Sequence, residues 1–216
     1  MFLETDSVQL AYFGRKVLQN IYLKVELGKI TALLGRNGCG KSSLLKIIFG
    51  TLKAENQSVR FNGRYFSEAY TNKNLIRYLP QSSFVPNTLK VREAFEEYGV
   101  KGELLEDTNW EKVKNLKFDR LSGGERRFWE ALLVVCSPVS FVLLDEPFSH
   151  LSPIFVEHLQ KVMMTEKDKK GILMTDHLYN EVLSISNQVY FLQNGTTYLL
   201  SNPRQDLIDR GYIPAL

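Results

Sequence analysis

The chain has 216 residues, 44% hydrophobic and 24% charged, which excludes a disordered or fibrous protein. At ~150 residues per domain, that length makes one domain with room for a small lobe. The formal net charge of +3 is too small to imply a nucleic-acid or membrane-surface partner, and no apolar run approaches the ~20 residues of a spanning helix. The N-terminus carries Glu4 and Asp6 and no basic run, so it does not read as a signal peptide. Cys39 and Cys136 stand 97 positions apart with no CxxC pair, which excludes a disulfide framework and most zinc sites. These features predict a soluble, cytoplasmic protein.

Residues 2–11 and 16–27 read as two strands about a turn at Phe13-Gly14. LQNIYLKVEL alternates apolar and polar residues, as a half-buried strand does. KITALL is a short, continuously apolar strand, and GRNGCGKS (35–42) is a glycine-rich loop. KSSLLKIIF follows as a helix stopped by Gly50. Residues 58–61 with Asn62-Gly63 are a hairpin signal, and 75–79 is a strand broken by Pro80. From about 82 to 136, charged amphipathic stretches such as VREAFEEY predict a mainly helical insert. FVLLDE returns to a buried strand, HLQKVMM to a helix and GILMT to a strand. Val182 lies on a short helix, and QVYFLQ-NG-TTYLL closes the chain's strands as a hairpin. Strand, loop, helix, strand is the α/β pattern of a sheet with parallel strands.

The loop Gly35-Arg36-Asn37-Gly38-Cys39-Gly40-Lys41-Ser42 fits G-x-x-x-x-G-K-[ST], with Ser43 next in line. Its glycines let backbone N–H groups face inward around phosphates, and the helix that follows directs its positive end at the same anion. Lys41 is placed to reach the β- and γ-phosphates of a nucleotide, and the Ser42 hydroxyl to ligate Mg²⁺. A Gly-rich turn without a ligand is the simpler alternative. The apolar strand before it and the helix after it argue against that. A nucleotide-bound metal needs a second acidic strand, and FVLLDE supplies one: Asp145 ends the apolar run, and Glu146 follows as the group to orient or deprotonate an attacking water.

Leu121-Ser122-Gly123-Gly124-Glu125, together with the phosphate loop and LLDEP (143–147), resembles the signature of ATP-binding-cassette (ABC) ATPases. Tyr12 resembles the aromatic that stacks on adenine, Gln81 the glutamine of the Q-loop, and His177 the switch histidine. His150 and His158 match no such feature and are expected at the surface. The resemblance covers the whole chain, 1–216, as a single α/β P-loop NTPase domain. It implies a RecA-like core sheet, an N-terminal antiparallel β part and a short helical subdomain at about 82–136. It further implies ATP and Mg²⁺ as ligands, with Gln81 and Asp145 joining Ser42 at the metal. Ser122, Gly123 and Gly124 of one copy would face the ATP held by the phosphate loop of another, in a head-to-tail homodimer or a pair with a second cassette. The implied role is the motor subunit of a transporter whose membrane-spanning permease is a separate chain, on the inner face of the cell membrane. LSGGERR, DEPFS, TDHLYNE and DLIDRGYI look like the group of lipopolysaccharide-export and branched-chain amino-acid-import ATPases. The alternative is a non-transport cassette acting on the ribosome or DNA. One cassette, no heptad run and weak basicity disfavour it.

Three departures carry expectations of their own. Cys39 stands where the family has a small residue; either it is simply another small side chain, or, near a helix N-terminus, its thiol is acidified and oxidation-sensitive, with ATP shielding it. Ser152 stands where the family usually has an aspartate that crosses the dimer interface, which implies looser coupling between the two sites. Only 41 positions separate Gln81 from Ser122, so the helical lobe is small. Phe84, Val85, Leu89, Val91 and Phe95 are expected to line its docking groove.

Overall fold

The computed structural model describes residues 1–101 and 109–214. The chain begins with an antiparallel pair, β1 (Phe2–Tyr12) and β2 (Arg15–Glu26), joined at Phe13-Gly14. β3 (Ile30–Leu34) leads into the glycine loop and α1 (Lys41–Phe49). β4 (Asn56–Phe61) and β5 (Arg64–Tyr65) form the predicted hairpin, and β6 (Ile76–Leu79) ends at Pro80. Then come α2 (Val91–Glu97), α3 (Trp110–Val113) and α4 (Gly123–Val135). β7 (Phe141–Asp145), α5 (Pro153–Glu166), β8 (Gly171–Thr175) and α6 (Tyr179–Ile185) follow. The described chain closes with β9 (Gln188–Gln193), β10 (Thr196–Leu199) and a helix the sequence reading did not assign, α7 (Pro203–Asp209).

The strands form one sheet in the order β5-β4-β1-β2-β10-β9-β3-β8-β7-β6. Its half from β9 to β6 is parallel, and the rest is antiparallel apart from a single parallel pairing of β10 with β2. The continuous apolar runs ITALL, FVLL and GILM are therefore strands covered on both faces, which is why they show no alternation. Ile30, Ala32 and Leu34 of β3 join one core with α4, α5 and α6, whereas Leu33 joins the other with α1 and the N-terminal strands. Asn62-Gly63 and Asn194-Gly195 take positive φ at both positions, the type I′ geometry those dipeptides signal. Among the described residues no helix is long and apolar enough to cross a membrane, and both cysteines are free.

The expected docking groove is corrected. Val85, Val91 and Phe95 are buried, because α2 turns its apolar stripe inward onto α4; Phe84 and Leu89 alone of the five are partly exposed. His150 is exposed as expected, but His158 is half-buried on α5. The 102–108 part of the predicted helical insert lies outside the described residues.

Candidate nucleotide site

Parallel strands bring the site together. β3, β8, β7 and β6 are adjacent and point the same way, so the segments after them leave from one edge of the sheet. Those segments are the glycine loop, the Asp176-His177 turn, the Glu146 turn and the Pro80-Gln81 bend. They surround a cleft of about 580 Å³ lined by residues that include Tyr12, Lys41, Ser42, Gln81, Glu146 and His177.

The loop is shaped by close approaches. Gly40 caps α1 at φ 109, and a Cβ there would meet Val17 and Leu18 at 2.9 Å. A Cβ on Gly35 would lie 2.6 Å from the Leu192 carbonyl oxygen, so only glycine fits. Lys41 is buried, and its ammonium donates to the carbonyls of Gly35 (2.8 Å) and Arg36 (3.3 Å). The Arg36 guanidinium donates to Gly211 O at 2.9 Å and does not line the cleft. Asn37, Gly38, Gly40 and Ser43 line the cleft; Gly35 and Cys39 do not, and they pack against each other.

The expectation of an acidified Cys39 is overturned. Its Sγ turns inward against Gly35, and burial raises the thiol more than Lys41 and the nearby backbone amides lower it. Cys39 should therefore react with a disulfide reagent at pH 7 more slowly than free glutathione, and faster as pH rises, with a Cys39→Ser variant as the blank. A neutral-pH rate matching glutathione would contradict the inward thiol.

Asp145 is 1% exposed at the end of β7. Its Oδ1 accepts from Ser42 Oγ (3.1 Å) and Thr175 Oγ1 (3.0 Å), and its Oδ2 from the Tyr78 hydroxyl (3.0 Å). All three donors are neutral, and the nearby Arg127 guanidinium bonds the backbone carbonyl of Asp145 and not its carboxylate, so a cation fits beside the carboxylate. The donors are hard oxygens, as Mg²⁺ prefers. No cluster of three or more His, Cys, Asp or Glu occurs among the described residues, so a metal here would be shared with phosphate oxygens and water. Burial, and after it the charge of Asp145 and the hydrogen bond to it, drive the Tyr78 hydroxyl far above its usual range.

Glu146 takes φ 55, uncommon for a residue with a side chain, and its amide is held by Thr175 O at 2.9 Å. Its carboxylate meets His177 Nε2 at 2.7 Å and accepts from Ser149 Oγ at 3.2 Å. Asp176 fixes this turn: its carboxylate accepts from the amides of Phe148, His177 and Leu178. Burial raises the Asp176 carboxyl even so.

Sequence reasoning missed Tyr78, Thr175 and Asp176. Thr175 was findable, because GILMT and FVLLD are equal apolar strands whose last residues pair in register, Thr175 with Asp145. Nothing in the sequence marks Tyr78.

Ser122, Gly123 and Gly124 do not line this cleft. They open α4 through a capping box: Ser122 Oγ accepts from Glu125 N (3.3 Å), and Ser122 N donates to Glu125 Oε2 (2.8 Å). These bonds hold the Glu125 carboxyl below its usual range. The amides of Gly123 and Gly124 lack intrahelical acceptors by helix geometry, and Gly124 packs so that a Cβ would be 2.9 Å from His150 O. Ser152 likewise caps α5 through Phe155 N at 3.4 Å, a role aspartate also fills.

A glycine loop between a parallel strand and a helix, with an acidic neighbouring strand, defines a P-loop NTPase. The family described as ABC transporter matches residues 18–149. A probable ABC transporter ATP-binding protein of Azorhizobium caulinodans is 31% identical, over 89% of this chain and 74% of that protein. The lipopolysaccharide export system ATP-binding protein LptB of Haemophilus influenzae is 27% identical, over 96% and 93%. A solved structure of an ATP-binding subunit of an ABC transporter superposes with a TM-score of 0.84 at 22% identity, over 100% of this chain and 95% of that one. The chain belongs to the ABC transporter family, as an ATP-binding subunit with that family's ATPase activity.

Proposed function

We propose that this chain is a transport motor that closes head to tail with a second cassette around two Mg²⁺-ATP and drives a separate membrane-spanning partner. The carrying observation is that one chain offers two anion-facing surfaces, the cleft and the start of α4, and the second does not line the first. Each cleft lacks what a second copy can supply: Ser122 and the amides of Gly123 and Gly124.

In this reading Tyr12 stacks on adenine, and Gly38, Gly40, Asn37 and Ser43 wrap the phosphates. Lys41 exchanges its loop carbonyls for β- and γ-phosphate oxygens. Ser42, Gln81 and, through water, Asp145 hold Mg²⁺, which when bound neutralises phosphate charge. Glu146 orients the attacking water and takes its proton, and His177, already paired with Glu146, holds the water and γ-phosphate side of the cleft. Hydrolysis removes the charge that holds the two copies together, and the opening is passed to the permease. The helical segment between β6 and β7 is the docking face for that permease, on the inner side of the cell membrane. The similarity to LptB points to lipopolysaccharide export as the first transport class to test.

Lys41→Ala should weaken ATP binding about 100-fold, since it removes a charge-assisted contact worth up to ~3 kcal/mol. Equilibrium dialysis with labelled ATP measures this. Cross-linking in the native cells should recover a polytopic membrane protein attached between 82 and 120. Recovery of ribosomal or DNA-bound partners instead would overturn the transport reading.

A further inference from the structure

The buried polar groups of α4 are unevenly used. Arg127, 6% exposed, sends no hydrogen bond to a side chain among the described residues. Its Nη1 donates to Pro80 O (2.6 Å), and its Nη2 to Asp145 O (2.5 Å) and Glu146 O (2.9 Å). One guanidinium thus joins the residue before Gln81, the metal-side acid and the water-side acid, through backbone atoms alone. A planar fork is the side chain that can span three such acceptors at once.

Its neighbour ties the other end of the same bend. Arg126 donates to Val85 O, to Asn87 Oδ1 at 2.5 Å, and to Glu130 Oε1 at 3.1 Å. Glu130, fully buried, accepts in turn from the amides of Phe84 (3.3 Å) and Val85 (3.4 Å). The stretch from Pro80 to Asn87 is therefore anchored to α4 at both ends, and the exposed 81–83 bend lies between the anchors. Five residues before Arg127 on the same helix boundary is Ser122.

We propose that Arg127 is a positioning residue: it couples the placement of Gln81 and Glu146 at the nucleotide to the orientation of α4, and so to the surface that Ser122 presents to a second copy. This rests on the reading above of the cleft as an ATP site. A shift of Pro80 or of the Glu146 turn on nucleotide binding must either break a hydrogen bond to a buried cation or carry α4 with it. Breaking it takes an acceptor from a buried guanidinium whose Nε already has none among the described residues, so the helix follows.

The chain carries a reporter for this motion. Both of its tryptophans, Trp110 and Trp129, lie outside the cleft in the helical lobe, with ring centroids 5.8 Å apart, and Trp129 is two residues from Arg127. Adding Mg²⁺-ATP to the full chain should change tryptophan emission in the wild type. In Arg127→Met the change should be lost, while the ATP dissociation constant by equilibrium dialysis stays within about threefold. Turnover should fall about 10- to 100-fold in kcat with little change in KM, the cost of misplacing groups that still bind. Arg127→Lys, which keeps the charge without the fork, should recover part of both signals.

A residue that only supports the fold would lower the melting temperature and leave kcat per folded molecule and the emission change intact; that result overturns the proposal. If Arg127→Met does not fold, wild-type kcat and emission in Arg127→Lys overturn it equally. Normal ATP binding with no emission change in the wild type also rejects the coupling. Failure of the wild type to bind ATP would bring down the functional reading first, so the two failures are distinguishable.

Discussion

Glu146→Gln is expected to lower ATP turnover about 10²–10⁴-fold, the range a positioned general base contributes. ATP binding should survive, because Lys41, Ser42 and Asp145 keep their places. The amide is isosteric and still hydrogen-bonds His177 and Ser149, so the strained φ of 55 at this position is retained. What is lost is the basic oxygen. With hydrolysis blocked and ATP bound, the head-to-tail pair should accumulate, read as a doubling of mass by light scattering with Mg²⁺-ATP that reverses on its removal. Full turnover in the variant would remove Glu146 from the chemistry. A variant that binds ATP, does not hydrolyse it and stays monomeric would argue against the sandwich.

Lys170→Met is expected to give the largest loss of stability. The Lys170 ammonium is buried at the start of β8, where it donates to Val135 O (2.6 Å) and Ser137 O (2.8 Å) and pairs with Glu166 Oε2 (2.8 Å). It thereby caps the C-terminal carbonyls of α4 and ties that helix to α5. Methionine fills the volume but leaves the Val135 carbonyl without its donor and Glu166 with Lys169 alone. Breaking a buried pair costs about 3 kcal/mol, or roughly 6–12 °C in melting temperature for a chain this long. Adding Glu166→Leu should restore only part, because the Val135 carbonyl remains unsatisfied. A shift below about 2 °C would sink the assignment.

The pH dependence has a definite sign. Burial alone would raise the Glu166 carboxyl, but the ammonium groups of Lys169 and Lys170 outweigh it and hold it below its usual range. A carboxyl depressed in the folded state adds stability at neutral pH, lost as pH falls through its folded value. The stability gap between wild type and Glu166→Gln should therefore close in acid, below the ordinary glutamate range. Melting curves across that range measure it.

Much of this site is legible from residue order because its parts are local. A glycine loop needs its glycines within eight positions, and the acid at the end of FVLL follows directly from the apolar run that buries the strand. The Ser-Gly-Gly-Glu run is both the family signature and a capping box, two local facts in one stretch. Sequence alone leaves Cys39 between two readings, because a helix N-terminus is visible in sequence, whereas the inward turn of its thiol against Gly35 depends on a loop closed over Leu192, far along the chain. The docking residues failed for a similar reason: apolar side chains on a short amphipathic helix face either a partner or the core, and only the position of α4 decides that Val91 and Phe95 face inward.

The sequence by itself determined the class of protein and the order of its strands and of the helices before α7, since each is written in contiguous periodicity or in a motif of a few positions. The tertiary structure alone decided that Tyr78 and Thr175 hold Asp145, that Asp176 sets the His177 turn, and that Arg127 joins three backbone carbonyls from two separate segments. Those contacts join positions up to 67 residues apart, and backbone carbonyls carry no side-chain signature to announce them. They exist because parallel strands deliver their ends to one edge, and the helix packed over that edge must satisfy what it buries.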